Sequence, residues 1–195
     1  MKIILASTSP RRAAILRDAG IAFEACGTEV DEAPGPGETA QTMVARLAQA
    51  KARAAAARLG NVTESRIVVG ADTTVDLDGK ILGKPRDAAH AAEMLRELSG
   101  RTHHVLTGIF LLRLPDLASR SAVEVSSVTF GPLDENEVAA YASSGEPLGK
   151  AGAYAIQGLA GRFVPGIAGC YFNVVGLPLA RLCTLLRELG WRDEE

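Results

Sequence analysis

Four basic side chains and one carboxylate stand at positions where a packed core has little use for them. The opening stretch MKIILASTSPRR runs an apolar segment into Ser7, Ser9 and Pro10 and then sets Arg11 beside Arg12. With Ser9 as N-cap and Pro10 in the first helical position, both arginines fall in the first turn, where the helix dipole disfavours cations. An anion held between the helix start, the hydroxyls of Ser7 and Ser9 and the guanidinium groups resolves that conflict; a solvated arginine pair is the plain alternative. Further on, Val44, Leu47, Ala48 and Ala55 mark an apolar helical stripe with Lys51 lying on it, either snorkelling from its edge or aimed at a ligand. In IVVGADTT (67–74), Gly70 permits close backbone approach. Asp72 ends the apolar run beside Thr73 and Thr74, placed for a general base, a metal ligand or only a turn contact. Lys84 precedes Pro85 in GKPRD, in extended backbone that could equally be plain surface. Gln157, in AGAYAIQG (151–158), offers a paired donor and acceptor that could read a base edge or satisfy a backbone group. Each signal has a bland reading. Together they supply what a nucleoside triphosphate site needs.

These residues need elements to hold them. The 195 residues are 47% hydrophobic and 23% charged, which fits one folded domain over 1–195 with a real core. A net charge of −2 excludes whole-surface attraction to nucleic acid or to an anionic membrane, so any positive field is local. Cys26, Cys170 and Cys183 form an odd set without a CxxC pair and read as reduced thiols. No apolar run reaches spanning length and the first residues are too short for a signal h-region, so the expected location is the cytoplasm. Apolar patterning predicts strands at 2–6, 21–25, 66–82 (folded at Asp78-Gly79), 102–114 and 121–131, with a Gly-rich strand and an irregular approach over 161–176. Helices are predicted at 10–19, 38–59, 87–98, 134–144 and 178–189, with Asp134 and Glu137 as a capping box. The alternation argues for an α/β fold: a mixed, twisted sheet with helices on both faces. His103 and His104 are neighbours on a strand, face opposite ways and cannot easily share a metal. Tyr154, Tyr171 and Trp191 are expected to pack.

Taken in order, ASTSPRR (6–12), GADT (70–73), GKPRD (83–87), LSGRTHHVLTG (98–108), GEPLGKAGAYAIQG (145–158) and GLPL (176–179) resemble the Maf family of nucleotide pyrophosphatases over nearly the whole chain. The resemblance implies a fold similar to the inosine triphosphate pyrophosphatases, a homodimer, and cleavage of a nucleoside triphosphate to monophosphate and pyrophosphate with a divalent cation, Mg or Mn. Within the family, SPRR, GADT and AIQG look like the branch acting on dTTP and UTP rather than the 7-methyl-GTP branch. A non-catalytic nucleotide-binding regulator of septum formation is a further alternative. Position by position, the resemblance makes Asp72 the proton acceptor and Arg11, Thr73 and Gln157 the specificity positions. Ser7, Arg12, Lys51 and Lys84 complete the phosphate site, and Glu32 in EVDE (29–32) falls to the metal. Gly149 departs from the pattern, since many relatives carry an acidic residue before the equivalent of Lys150.

Overall fold

The computed structural model describes residues 1–60 and 62–192. Among them, β1 (Lys2–Ala6), β2 (Phe23–Ala25), β3 (Arg66–Leu77), β4 (Lys80–Leu82), β5 (Thr102–Leu114), β6 (Ser119–Thr129) and β7 (Gly166–Ala168) form one sheet. The strand order is β2-β1-β3-β5-β6-β7, with β4 paired to β3. β1 is parallel to β2 and β3, and the remaining pairs are antiparallel. The helices are α1 (Pro10–Asp18), α2 (Ala40–Leu59), α3 (Ala88–Leu98), α4 (Glu135–Ser143), α5 (Tyr171–Val175) and α6 (Leu179–Glu188).

The two-residue period of the strands divides the apolar residues between two faces. Ile3, Leu5, Ile67, Val69 and Ala71 pack on Ile15, Leu16, Leu182 and Leu186 of α1 and α6. Their neighbours Ile4, Ala6 and Val68 pack on Ala48, Ala52 and Ala55 of α2. The expected mixed sheet with helices on both faces is therefore present. Along β3 and β5, Val75, Leu77 and Val105 join a third cluster with Leu95, Leu98, Val138, Tyr141 and Phe163.

Two glycines set how closely α2 lies on the sheet. A Cβ on Gly70 would stand 2.1 Å from the Ala48 carbonyl oxygen, and one on Gly108 would stand 2.3 Å from that of Val44. Gly108 pairs directly with Asp72 across β3 and β5. The helix thus rests on bare backbone beside the carboxylate. The Asp78-Gly79 turn forms as its sequence predicts, with φ of 53° and 85° at the two residues.

The segment 161–176 meets its expectation in part: the irregular approach and a short strand form, but Tyr171–Val175 is helical. A 3-10 turn (Leu159–Phe163) leads to the three-residue β7 and then to α5. The fully buried Asn173 supplies the reason: its Nδ2 donates to the Val105 carbonyl and to Ser126 Oγ, both at 2.9 Å. These contacts seat a helical turn against β5 and β6, and tertiary anchoring overrides the strand propensity of YFNVV. Tyr171 is also corrected: it is 43% exposed, its ring set against Phe172, whereas Tyr154 and Trp191 are buried. His103 and His104 lie on β5, the first buried and the second exposed.

Candidate active site

β1 ends where Ala6 pairs with Gly70, so Ser7 leaves the sheet beside the strand segment that carries Asp72. The chain then enters α1 through Ser9 and Pro10. Ser9 is the N-cap residue, but its side chain caps nothing. Instead the Ser7 hydroxyl accepts from the Ser9 N–H at 3.1 Å and from the Arg12 guanidinium at 3.2 Å. The anticipated pair of hydroxyls thus resolves into one that organises the helix start and one that is left uncommitted.

Arg12 is the unusual group. It is 8% exposed, and among the described residues no carboxylate forms an ion pair with it. Its Nε donates to the Gly176 carbonyl at 2.8 Å, and a terminal nitrogen donates to Thr73 Oγ1 at 3.0 Å. Thr73 Oγ1 in turn meets Thr107 Oγ1 at 2.9 Å, and Thr107 donates to the Asn173 carbonyl at 3.1 Å. The guanidinium is therefore oriented by four segments without being neutralised. Burial lowers its pKa, the more distant Asp72 opposes that, and the neighbouring Arg11 adds to it.

Lys51 and Lys84 are held by carboxylates. Lys51 Nζ lies 2.6 Å from Asp72 Oδ1 and 2.6 Å from Glu32 Oε1, while Lys84 Nζ lies 2.5 Å from Glu32 Oε2. Burial pushes the Glu32 carboxyl up, but Lys51 and Lys84 outweigh it and hold the group at about 2. The loop bearing Glu32 is fastened to α2. Glu38 accepts from the Gly35 N–H at 2.8 Å and from Arg46 at 2.7 Å, and Arg46 also donates to the Ala33 carbonyl. Asp72 Oδ2 has no hydrogen-bond partner among the described residues.

All nine residues singled out from the sequence line one cavity of about 320 Å³: Ser7, Arg11, Arg12, Glu32, Lys51, Asp72, Thr73, Lys84 and Gln157. One side of it is cationic. The other is walled by Val75, Val105, Tyr154, Ile156 and Val174, with Gln157 exposed on a turn and its amide unpaired among the described residues. Arg11 faces the cavity without a hydrogen bond or ion pair among those residues. Thr73, by contrast, is committed to the Arg12 network rather than left open.

Sequence reasoning missed Thr107, Asn173 and the Gly176 carbonyl, which orient Arg12, and Thr28, which lines the cavity with a buried Oγ1 that has no partner among the described residues. Threonines in a strand or loop carry no distinguishing signal, and a backbone carbonyl carries none at all.

Two carboxylates touching one ammonium, with no third Asp, Glu, His or Cys grouped with them among the described residues, form an all-oxygen and incomplete donor set. That composition fits a hard divalent cation whose remaining ligands are water and phosphate.

The dTTP/UTP pyrophosphatase of Pelotomaculum thermopropionicum is 47% identical over 190 residues, covering 97% of each chain. That of Escherichia coli O157:H7 is 48% identical over 184 residues, covering 94% of this chain and 91% of its own. Among solved structures, the Staphylococcus aureus Ham1 protein aligns with 67% of this chain and 72% of its own at 18% identity, with a TM-score of 0.45. The family model described as Maf-like protein matches residues 2–189, and the chain belongs to that family.

Proposed function

We propose that this chain hydrolyses dTTP and UTP to the nucleoside monophosphate and pyrophosphate. The observation that carries the reading is Arg12: a buried guanidinium that pairs with no carboxylate among the described residues, sharing one cavity with Lys51, Lys84 and Asp72. A buried cation without a counterion is costly unless an anion completes it, and a polyphosphate tail is such an anion. The activity named for relatives at 47–48% identity supports the same reading.

The chain's residues divide the work. Arg12 presents its remaining N–H groups to the tail, while Lys51 and Lys84 exchange Glu32 for phosphate oxygens. Water attacks the α-phosphorus, the bond to the α,β-bridging oxygen breaks, and pyrophosphate leaves with the electron pair. Asp72, with Oδ2 open, orients that water and takes its proton. The three cations stabilise the charge that builds on the leaving group. Glu32 and Asp72 would hold a divalent cation, Mg or Mn, which when bound supplies further charge neutralisation on the triphosphate. The family resemblance also carries a homodimer into this proposal.

The base is selected by hydrogen-bond polarity. Uracil and thymine present an N3–H donor beside the O4 acceptor, and the Gln157 amide offers the complementary acceptor and donor. Cytosine reverses both groups, so it is met only by an amide turned over about its terminal bond. Arg11 adds positive charge near the keto oxygen.

The test is pyrophosphate release from a panel of triphosphates with Mg²⁺. UTP and dTTP should turn over at least about tenfold faster than CTP, dCTP and ATP, because a polar site left unpaired by the wrong base discriminates strongly. Equal rates on all five remove the base assignment. Binding without pyrophosphate release removes the enzyme.

A further inference from the structure

The turn that carries Gln157 is tied at both ends to one phenol–carboxylate pair. At its start, the Ala155 N–H donates to the Tyr141 hydroxyl at 3.1 Å, and that hydroxyl donates to Glu146 Oε1 at 2.8 Å. At its end, the Leu159 N–H donates to Glu146 Oε2 at 3.1 Å. Between them, the Gly158 N–H closes the turn on the Ala155 carbonyl at 3.0 Å. Gly158 lies so close that a Cβ there would stand 2.3 Å from Glu146 Oε2. The carboxylate therefore sits directly under the turn, and only glycine at that position lets it do so.

The pair itself is rigidly mounted. Tyr141 is 1% exposed on α4, packed in the cluster with Phe163, whose ring lies edge-on at 5.5 Å between centroids. Glu146 follows α4 closely, and its own N–H bonds Ser144 Oγ at 3.2 Å. Burial pushes the Glu146 carboxyl up, but the N–H groups of Leu159 and Ala160 and the Tyr141 hydroxyl outweigh it and bring it below its ordinary value. Burial and the adjacent carboxylate push the Tyr141 hydroxyl up. It thus stays a donor. Neither residue lines the cavity.

We propose that Tyr141 and Glu146 are positioning residues for base selection, holding the Ala155–Leu159 turn so that the Gln157 amide meets the base edge. The inference rests on the reading of Gln157 as the group that distinguishes keto from amino pyrimidines. A base-reading amide on an exposed turn contributes only if the turn is held in place, since a displacement on the order of an ångström takes the amide out of bonding distance of the base edge. The pair acts through Gln157 and not on the phosphates.

The experiment is a double-mutant cycle on the ratio of kcat/KM for UTP to kcat/KM for CTP. Tyr141→Phe removes both bonds of the phenol, and Glu146→Gln, a second variant, removes the charge and one acceptor. Thermal unfolding confirms that each variant is folded. Either change should lower the UTP:CTP ratio about tenfold, through loss on UTP while CTP hydrolysis holds. In a Gln157→Ala background, which lowers the ratio by itself, the same changes should lower it no further. An unchanged ratio in both folded variants, alongside a fall in Gln157→Ala, overturns the clamp and leaves the base assignment standing. An additive fall in the Gln157→Ala background also overturns it, since the pair would then act by another route. An unchanged ratio in Gln157→Ala itself overturns the base assignment and the clamp with it.

Discussion

Lys51 shows how much a single residue reveals before its surroundings are known. Its place on the apolar stripe of α2 is legible in the sequence, but the same spacing serves a snorkelling lysine. The structure buries it to 8% exposure, and its ammonium meets Asp72 and Glu32 rather than water. The partners come from sequence positions 19 and 21 residues away, which no local pattern encodes. Asp72 was legible for the opposite reason: a carboxylate closing an apolar run is rare enough to be noticed. Its Oδ1 meets Lys51 and its Oδ2 has no partner among the described residues, an arrangement suited to the proposed base. Replacing it in Asp72→Asn keeps the shape and removes the basicity. Turnover of UTP should fall by about 10²–10⁴-fold, measured as pyrophosphate release.

At the scale of elements, the site depends on α2 lying flush on β3 and β5. Gly70 announced a close approach in the sequence. Gly108 did not, because in THHVLTGIFLL it reads as an ordinary small residue within a strand. Both face backbone atoms of α2, which cannot move aside as a side-chain tip can. Gly108→Ala should therefore lift α2 near Val44 and carry Lys51 away from Asp72. The expected result is a loss of about 1–3 kcal/mol of unfolding free energy in denaturant titrations, together with weaker turnover. The same substitution on an open strand would be nearly silent. The least legible element is α5: its sequence favours a strand, and only the contacts of Asn173 with β5 and β6 explain the helical turn. Those contacts connect segments more than 40 residues apart, beyond the reach of periodicity.

Over the whole molecule, the net charge of −2 hides a cavity in which Arg11, Arg12, Lys51 and Lys84 face two carboxylates. Composition argues against whole-surface positive charge and cannot disclose a local excess. The core carries a pH signature of its own at His103. This residue is fully buried, its Nε2 lies 2.8 Å from the Tyr154 hydroxyl, and its Nδ1 has no partner among the described residues. Burial, with a smaller contribution from His104, lowers its pKa from 6.5 to about 4. Between those values the unfolded chain binds the proton and the folded chain does not, so stability rises with pH across the window. The contribution is complete above about pH 6.5 and is lost as pH falls toward 4, amounting to about 3 kcal/mol at most. Unfolding free energies measured from pH 7 to 4 should show this slope, and His103→Phe should flatten it. A wild-type profile without the slope would show that the imidazole is protonated in the folded protein.

The convergence of Arg12, Lys51 and Lys84 on one polyphosphate tail opposite Asp72 is tested most directly by separating binding from turnover in one variant. UTP is titrated calorimetrically into wild type and Asp72→Asn with divalent cations chelated, and pyrophosphate release is then followed after Mg²⁺ is added. Removing a negative charge beside the tail should leave binding equal or tighter while release all but stops. A variant that loses UTP binding, or one that binds it and releases pyrophosphate at the wild-type rate, would contradict the account.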